Sequence, residues 1–196
     1  MLYNKLNLAV AKIASTNDSR PELASVLFTK DKTAATDSFR LIEITVDNSV
    51  RVEDYPKIEG KDVIKEITPF LVSAKALKEI KPVKSKTMPI LNYVAITFAD
   101  DKQVEFSATN LETVERKMLR KVEGTFPEYE KVIPTDEPKA KITLNANYLL
   151  DVLAILAEVN KQGTVEIEFY EDGKPLLLKA SNGSQSARAL VMPLKP

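Results

Sequence analysis

Three segments of this chain close on the same short phrase. SVLFTKDKTAATD ends at Asp37, YVAITFADDKQVEFSATN at Asn110 and TVEIEFYEDGKPLLLKASN at Asn182. Each reads as a strand, a polar turn and a second strand, finished by Ala, then Ser or Thr, then Asp or Asn. One alternating hairpin is common to all β-proteins. Three with the same ending, at a period of roughly 70 residues, mark an internal repeat, and a repeat dictates the architecture.

The turns carry hairpin chemistry. Glu171-Asp172-Gly173-Lys174 supplies a glycine suited to positive φ, and Asp100-Asp101-Lys102 and Lys30-Asp31-Lys32 are polar equivalents. In the third hairpin Val165, Ile167 and Phe169 alternate with Glu166 and Glu168, which predicts one apolar and one polar face. A third strand follows each hairpin, over 40–46, 114–122 and 186–191.

A helix candidate precedes each hairpin. Leu6, Ala9, Val10 and Ile13 share one face of the first. Ser73 caps the second, with Leu77 and Ile80 inward. Asn145 or Asn147 caps the third, whose inner face is Leu149, Leu150, Leu153, Leu156 and Val159, with Gly163 just past its end. The apolar runs Pro69–Val72 and Lys141–Leu144 read as strands before the second and third helices. The expected fold is α+β: three β-α-β-β-β units, with helices on one face of a continuous antiparallel sheet.

Composition narrows the chemistry. The chain has 196 residues, no cysteine and no histidine. Disulfides, thiolate nucleophiles and cysteine-ligated zinc are excluded, and the usual neutral-pH base is missing. Five glycines leave little room for a phosphate-cradling loop. The acid pairs Asp100-Asp101 and Glu171-Asp172 fall where hairpin turns belong, so a carboxylate hydrolase is a poor reading. No catalytic residue, metal or cofactor is expected. The 28 basic and 28 acidic residues cancel, which argues against tight whole-surface binding to nucleic acid but allows one basic face. The first fifteen residues lack a signal-peptide pattern, and no stretch is apolar enough to span a bilayer, so a cytoplasmic protein is expected.

Four segments, in order, resemble the bacterial DNA sliding clamp, the beta subunit of DNA polymerase III. Thr33-Ala34-Ala35-Thr36-Asp37-Ser38-Phe39-Arg40-Leu41 is similar to the Ala-Thr-Asp-Gly-His-Arg-Leu segment of that family's middle domain, with Ser38 and Phe39 replacing Gly and His. The segment from Phe126-Pro127-Glu128-Tyr129 to Pro134 resembles its Phe-Pro-Asp-Tyr joint. Asn147 to Leu153 is similar to a helix of the last domain, and Gln185-Ser186 with Val191-Met192-Pro193-Leu194 to its end.

The resemblance implies two units per domain and rings with sheets outside and helices lining a central hole. It implies a clamp domain over 1–134, with units of about 1–66 and 67–134, and a half domain over 135–196. Thr87-Met88-Pro89-Ile90-Leu91 looks instead like the opening half of a first domain, which leaves open whether units two and three pair. Carried over residue by residue, the family's peptide-binding pocket would include Leu23, Thr36, Arg40, Leu41, Pro127, Lys131, Val132, Val191, Met192, Pro193 and Leu194. Leu41, Val132 and Val191, each read alone, fit core strand positions better; it is the convergence of three distant segments that favours the pocket. Lys5, Lys12, Arg20, Lys75 and Lys78 would face duplex DNA through non-specific backbone contacts, although each alone reads as a solvated surface charge.

The implied partners are duplex DNA, a DNA polymerase and other proteins carrying the clamp-binding motif, and a clamp loader that would carry the ATPase. The family's rings hold twelve units, so three per chain would need four chains, or three chains for a nine-unit ring. A non-encircling adaptor that keeps the pocket without a ring is the alternative.

Overall fold

The structure is a computed structural model that describes residues 1–58, 67–171 and 173–194. Asp172, one residue of the third hairpin turn, lies outside them. The chain divides into two compact units, Met1–Ile133 and Pro134–Pro196, each with its own sheet and core.

The first unit contains two β-α-β-β-β repeats. The first runs β1 (Leu2–Asn4), α1 (Lys5–Ala9), β2 (Ser25–Phe28), β3 (Lys32–Thr36) and β4 (Leu41–Thr45). The second runs β5 (Phe70–Ser73), α2 (Ala74–Leu77), β6 (Tyr93–Phe98), β7 (Gln103–Thr109) and β8 (Val114–Val122). The eight strands form one antiparallel sheet in the order β1-β6-β7-β8-β5-β2-β3-β4. Each repeat gives its first strand to the other: β1 pairs with β6, and β5 with β2. Repeats one and two therefore complete each other in one sheet, and neither closes alone.

Strand alternation sends side chains to two buried faces. Val26, Phe28, Phe70, Val72, Val94, Ile96 and Phe106 pack with Leu8 and Leu77 on the helix side. On the other face, residues 50–58 cover Leu2, Tyr93 and Ala95, with Tyr55 and Ile58 buried. Phe126 and Tyr129 cover Ala34 and Leu71.

The repeated ending turns out to be a hydrogen-bonding device. Thr36, Thr109 and Ser181 each donate the side-chain hydroxyl to the carbonyl four residues on, of Arg40, Thr113 and Gln185, at 2.9, 2.9 and 3.2 Å. The same hydroxyls accept from the amides of Ser38, Leu111 and Gly183. The next residue, Asp37, Asn110 or Asn182, accepts two more amides through Oδ1. The turn puts Ser38, Leu111 and Gly183 at φ 80, 77 and 90°. Short oxygen-bearing side chains satisfy the backbone groups of a turn that the ladder cannot reach.

The second unit has α3 (Ala146–Val159), β9 (Glu166–Glu168), β10 (Leu176–Ser181) and β11 (Ser186–Val191), in the sheet order β11-β10-β9. Leu156, Leu176, Leu178, Ala180 and Val191 form its core. Gly173 (φ 81°) makes the hairpin turn, and Gly163 (φ 64°) turns back to Asn160 past the helix.

Several sequence expectations need correction. The antiparallel sheet is not continuous over the three repeats; the described strands form sheets of eight and three. Lys141–Leu144 forms no strand, although the Thr143 carbonyl accepts from the Leu194 amide at 2.8 Å. The first helix buries Asn7, Leu8, Val10 and Ala11 and leaves Leu6 and Ala9 exposed. A capping box between Asn4 and Asn7 starts it at Lys5, and from Val10 it tightens to a 3-10 turn, which changes the period. Asn7 can be buried because its amide nitrogen donates to Thr33 Oγ1 and the carbonyls of Ile44 and Thr45. Ser73 holds the N-cap position of α2, but its side chain makes no cap bond; Asn145, not Asn147, caps α3. Leu150 lies one residue off the apolar stripe of α3 and is exposed, while Val152 packs inward. Ile167 and Phe169 remain exposed at the free side of β9.

Candidate functional site

Seven of the predicted pocket residues lie in the first unit and four in the second. In the first, alternation along β4 turns Ile42 and Ile44 to the helix side and Leu41 to the opposite face, where it packs half-buried with Ala34, Leu71, Phe126 and Tyr129. Leu41 and the Phe126 and Tyr129 rings are 85 or more residues apart in sequence, and the fold brings them together.

A polar clasp holds that segment down. Tyr129 donates its hydroxyl to Glu43 Oε2 at 2.8 Å. Lys32 Nζ reaches Glu43 at 2.9 Å and Glu130 at 2.7 Å, and lies 5.1 Å from the centre of the Tyr129 ring. Hydrogen bonds from Lys32 and then Tyr129 hold the Glu43 carboxyl below its usual range, while hydrogen bonds to Glu130, then Tyr129 and Glu43, raise Lys32. Phe126 meets Tyr129 edge-on at 5.9 Å, which fixes the ring. Sequence reasoning missed Lys32 and Glu43. Their signal was available in the register: Glu43 lies opposite Ala34, so Lys32 is its diagonal neighbour on one face.

The remaining residues of this set differ in what they offer. Pro127 is half-buried, Lys131 is exposed and paired with Glu128, and Val132 is 74% exposed. Arg40 is exposed and bonded to Asp37 at 2.9 Å; this contact, with the Phe39 and Arg40 amides, pulls the Asp37 carboxyl down. Leu23 and Thr36 are buried and present almost no surface. Phe39 stands 97% exposed at the turn. In the second unit Val191 belongs to the core, while Met192 and Leu194 are exposed and Pro193 is half-exposed.

Lys5, Lys12, Lys75 and Lys78 are all exposed, on or just past the helices that cover one face of the eight-stranded sheet. Lys5 and Lys12 do not share an unbroken helix, because the α-helix ends at Ala9. Arg20 lies in the loop before β2 and contacts Glu22 at 3.4 Å. Among the described residues no cluster of acidic side chains could hold a metal, and no helix is long and apolar enough to cross a membrane.

The structure matches that of the DNA polymerase III beta chain from Streptococcus pneumoniae with a TM-score of 0.69 and 23% identity, over 100% of this chain and 49% of that one. This is the sliding-clamp fold. The DNA polymerase sliding clamp from Pseudomonas aeruginosa matches with a TM-score of 0.68 and 17% identity, over 98% of this chain and 50% of that one. In sequence, the Beta sliding clamp of Streptococcus pneumoniae is 29% identical over 180 residues, 88% of this chain and 42% of that protein. No family model matches. The chain is thus similar to bacterial beta sliding clamps and spans about half the length of the curated relatives it matches.

Proposed function

We propose that this chain is a non-catalytic DNA sliding clamp, a polymerase processivity factor. It assembles into a ring around duplex DNA and docks polymerase or repair proteins through short apolar peptides. The observation that carries the docking half of this reading is the clasped outer surface of the first unit. There Leu41 remains half-exposed beside a pinned Phe126–Tyr129 segment, and Val132 stands in solvent. Apolar surface left beside a fixed segment suits a peptide site, where a few large anchors dominate affinity. Taken by itself, the second unit exposes Met192 and Leu194, and the adaptable thioether of Met192 suits several partners.

Non-specific contacts from Lys5, Lys12, Arg20, Lys75 and Lys78 hold DNA loosely in the proposed ring, where topology replaces affinity. The partners are duplex DNA, a polymerase and a loader that supplies ATP hydrolysis.

The test is titration of a fluorescent peptide carrying Leu and Phe anchors. Leu41→Asp abolishes binding, and Val132→Ser weakens it about tenfold, the loss of one apolar anchor contact. Val132 is too exposed to be a core residue, so its variant should melt like the parent. Unchanged affinity in both variants rejects the surface. One observation favours a non-encircling adaptor instead: the second unit holds a single repeat. A monomer in light scattering at every concentration, with peptide binding intact, supports that reading.

A further inference from the structure

The first unit demonstrates how a repeat is completed. The first strand of each repeat lies against the first hairpin strand of its sibling, as β5 lies on β2 and β1 on β6. In the second unit β9 holds the place of β2 and β6, and among the described residues no strand pairs with its outer side. Among the described residues no hairpin strand pairs with the segment Lys141–Leu144, which holds the place of β5 and β1.

The repeated turns fix which residues correspond. Counting back from Thr36, Thr109 and Ser181, the pairs Leu27↔Ala34, Ala95↔Ser107 and Glu166↔Lys179 are equivalent. The N-cap residues Asn4, Ser73 and Asn145 are equivalent too, and Asn4 and Ser73 lie opposite Tyr93 and Ser25, each two residues before the reference position. The same register sets Asn145 opposite Thr164. It then sets Leu144 opposite Val165, Ile142 opposite Ile167 and Lys141 opposite Glu168.

Each pairing is chemically sound. Phe70 lies opposite Phe28 and Val72 opposite Val26 in the first unit, all buried. Ile142 and Ile167 are their counterparts, 38 and 42% exposed. Lys141 meets a carboxylate where Lys179 already sits. The single bond from Leu194 to Thr143 also falls in register, because it reproduces the Leu71↔Val122 pairing of β5 with β8. The segment is thus already seated against its own third strand, as β5 is, with its other edge free.

We propose that two copies of this chain join through their second units, each laying residues 141–144 along β9 of the other. The exchange closes a two-fold domain with the topology of the first unit. It buries Ile142 and Ile167, and it sets helix α3, with Tyr148 and Ile155 exposed one heptad apart, beside its symmetry mate as α2 lies beside the turn after α1. An isologous contact of this kind requires an even number of chains, so a closed ring is built of dimers and the three-chain ring is excluded. The proposal does not depend on peptide docking.

The chain has no cysteine, so the test is clean. Lys141→Cys and Glu168→Cys are made separately in the full chain, purified and mixed under mild oxidation. Directly opposed residues in an antiparallel pair are about 4.5–5.5 Å apart at Cα, within disulfide reach. The expected result is an interchain link at twice 21.8 kDa in the mixture and in neither variant alone. Light scattering on the unmodified chain then reads an even multiple of that mass, and Ile167→Asp halves it while leaving the circular dichroism spectrum unchanged. A monomer at every concentration, a mixture that does not link, or a link formed equally by one variant alone overturns the proposal. Retained peptide binding by a monomer would reject this interface while leaving the docking surface standing.

Discussion

Tyr129 donates a 2.8 Å hydrogen bond to Glu43, 86 residues earlier in the chain. That contact, with Lys32 beside it, anchors the segment after the last strand of the first unit onto the sheet face opposite the helices. Glu130 of the same segment pairs with Lys32 at 2.7 Å, and Phe126 and Tyr129 pack on Ala34 and Leu71.

The clasp is acid-sensitive in a definite direction. Lys32 and Tyr129 depress the Glu43 carboxyl in the folded chain. Its contribution is therefore full above the unfolded carboxylate value of about 4.3 and is lost as pH falls through the lower folded value. Thermal melts from pH 7 down to pH 3 should fall more steeply for the parent than for Glu43→Gln. Parallel curves would mean that Glu43 does not hold the segment.

Asn7 is wholly buried, and its amide ties α1 to β3 and β4. Asn7→Ala removes the amide donor shared by the Ile44 and Thr45 carbonyls and the Thr33 oxygen, while the Thr33 hydroxyl keeps its bond to the backbone carbonyl of residue 7. A loss of about 2–3 kcal/mol is expected from urea unfolding, the size of a buried network with its partners left unsatisfied.

Leu111 sits at φ 77° in a turn where Gly183 does the same job in the third repeat. A side chain there costs about 1–2 kcal/mol, of which the freedom of an unfolded glycine returns about half. Leu111 is more than half exposed, so little packing is lost. Leu111→Gly should raise the melting temperature by about 2 °C. A fall would show that Leu111 packs where the turn needs it.

Lys75 and Lys78 are exposed on and just past α2. If both neutralise phosphates, Lys75→Ala with Lys78→Ala lowers the slope of log K against log salt for duplex DNA by about 1.8. An unchanged slope removes these two from the DNA-facing set.

Much of the secondary structure was legible because it is local. The second and third strands of every repeat, the cap at Asn145 and the positive-φ glycines at 163 and 173 follow from alternation and turn chemistry over a few residues. Faces were harder. The face of the first helix differs from the expected one because a capping box and a 3-10 turn reset its phase, and because Asn7, a polar residue, is buried while Leu6 is exposed. For the docking surface, the resemblance marked Leu41 and the Phe126 segment, but Lys32 and Glu43 acquire a role only when β3 and β4 pair.

The sequence by itself determined that there are three repeats, where their turns fall and which residue types close them, since hydroxyl and carboxamide side chains reach only a few residues along the chain. Tertiary structure alone decided which repeat completes which. A first strand cannot pair with its own hairpin and must find another, and that choice rests on register and burial between distant segments. The same physics leaves β9 with an open edge, a feature that no local pattern in the sequence announces.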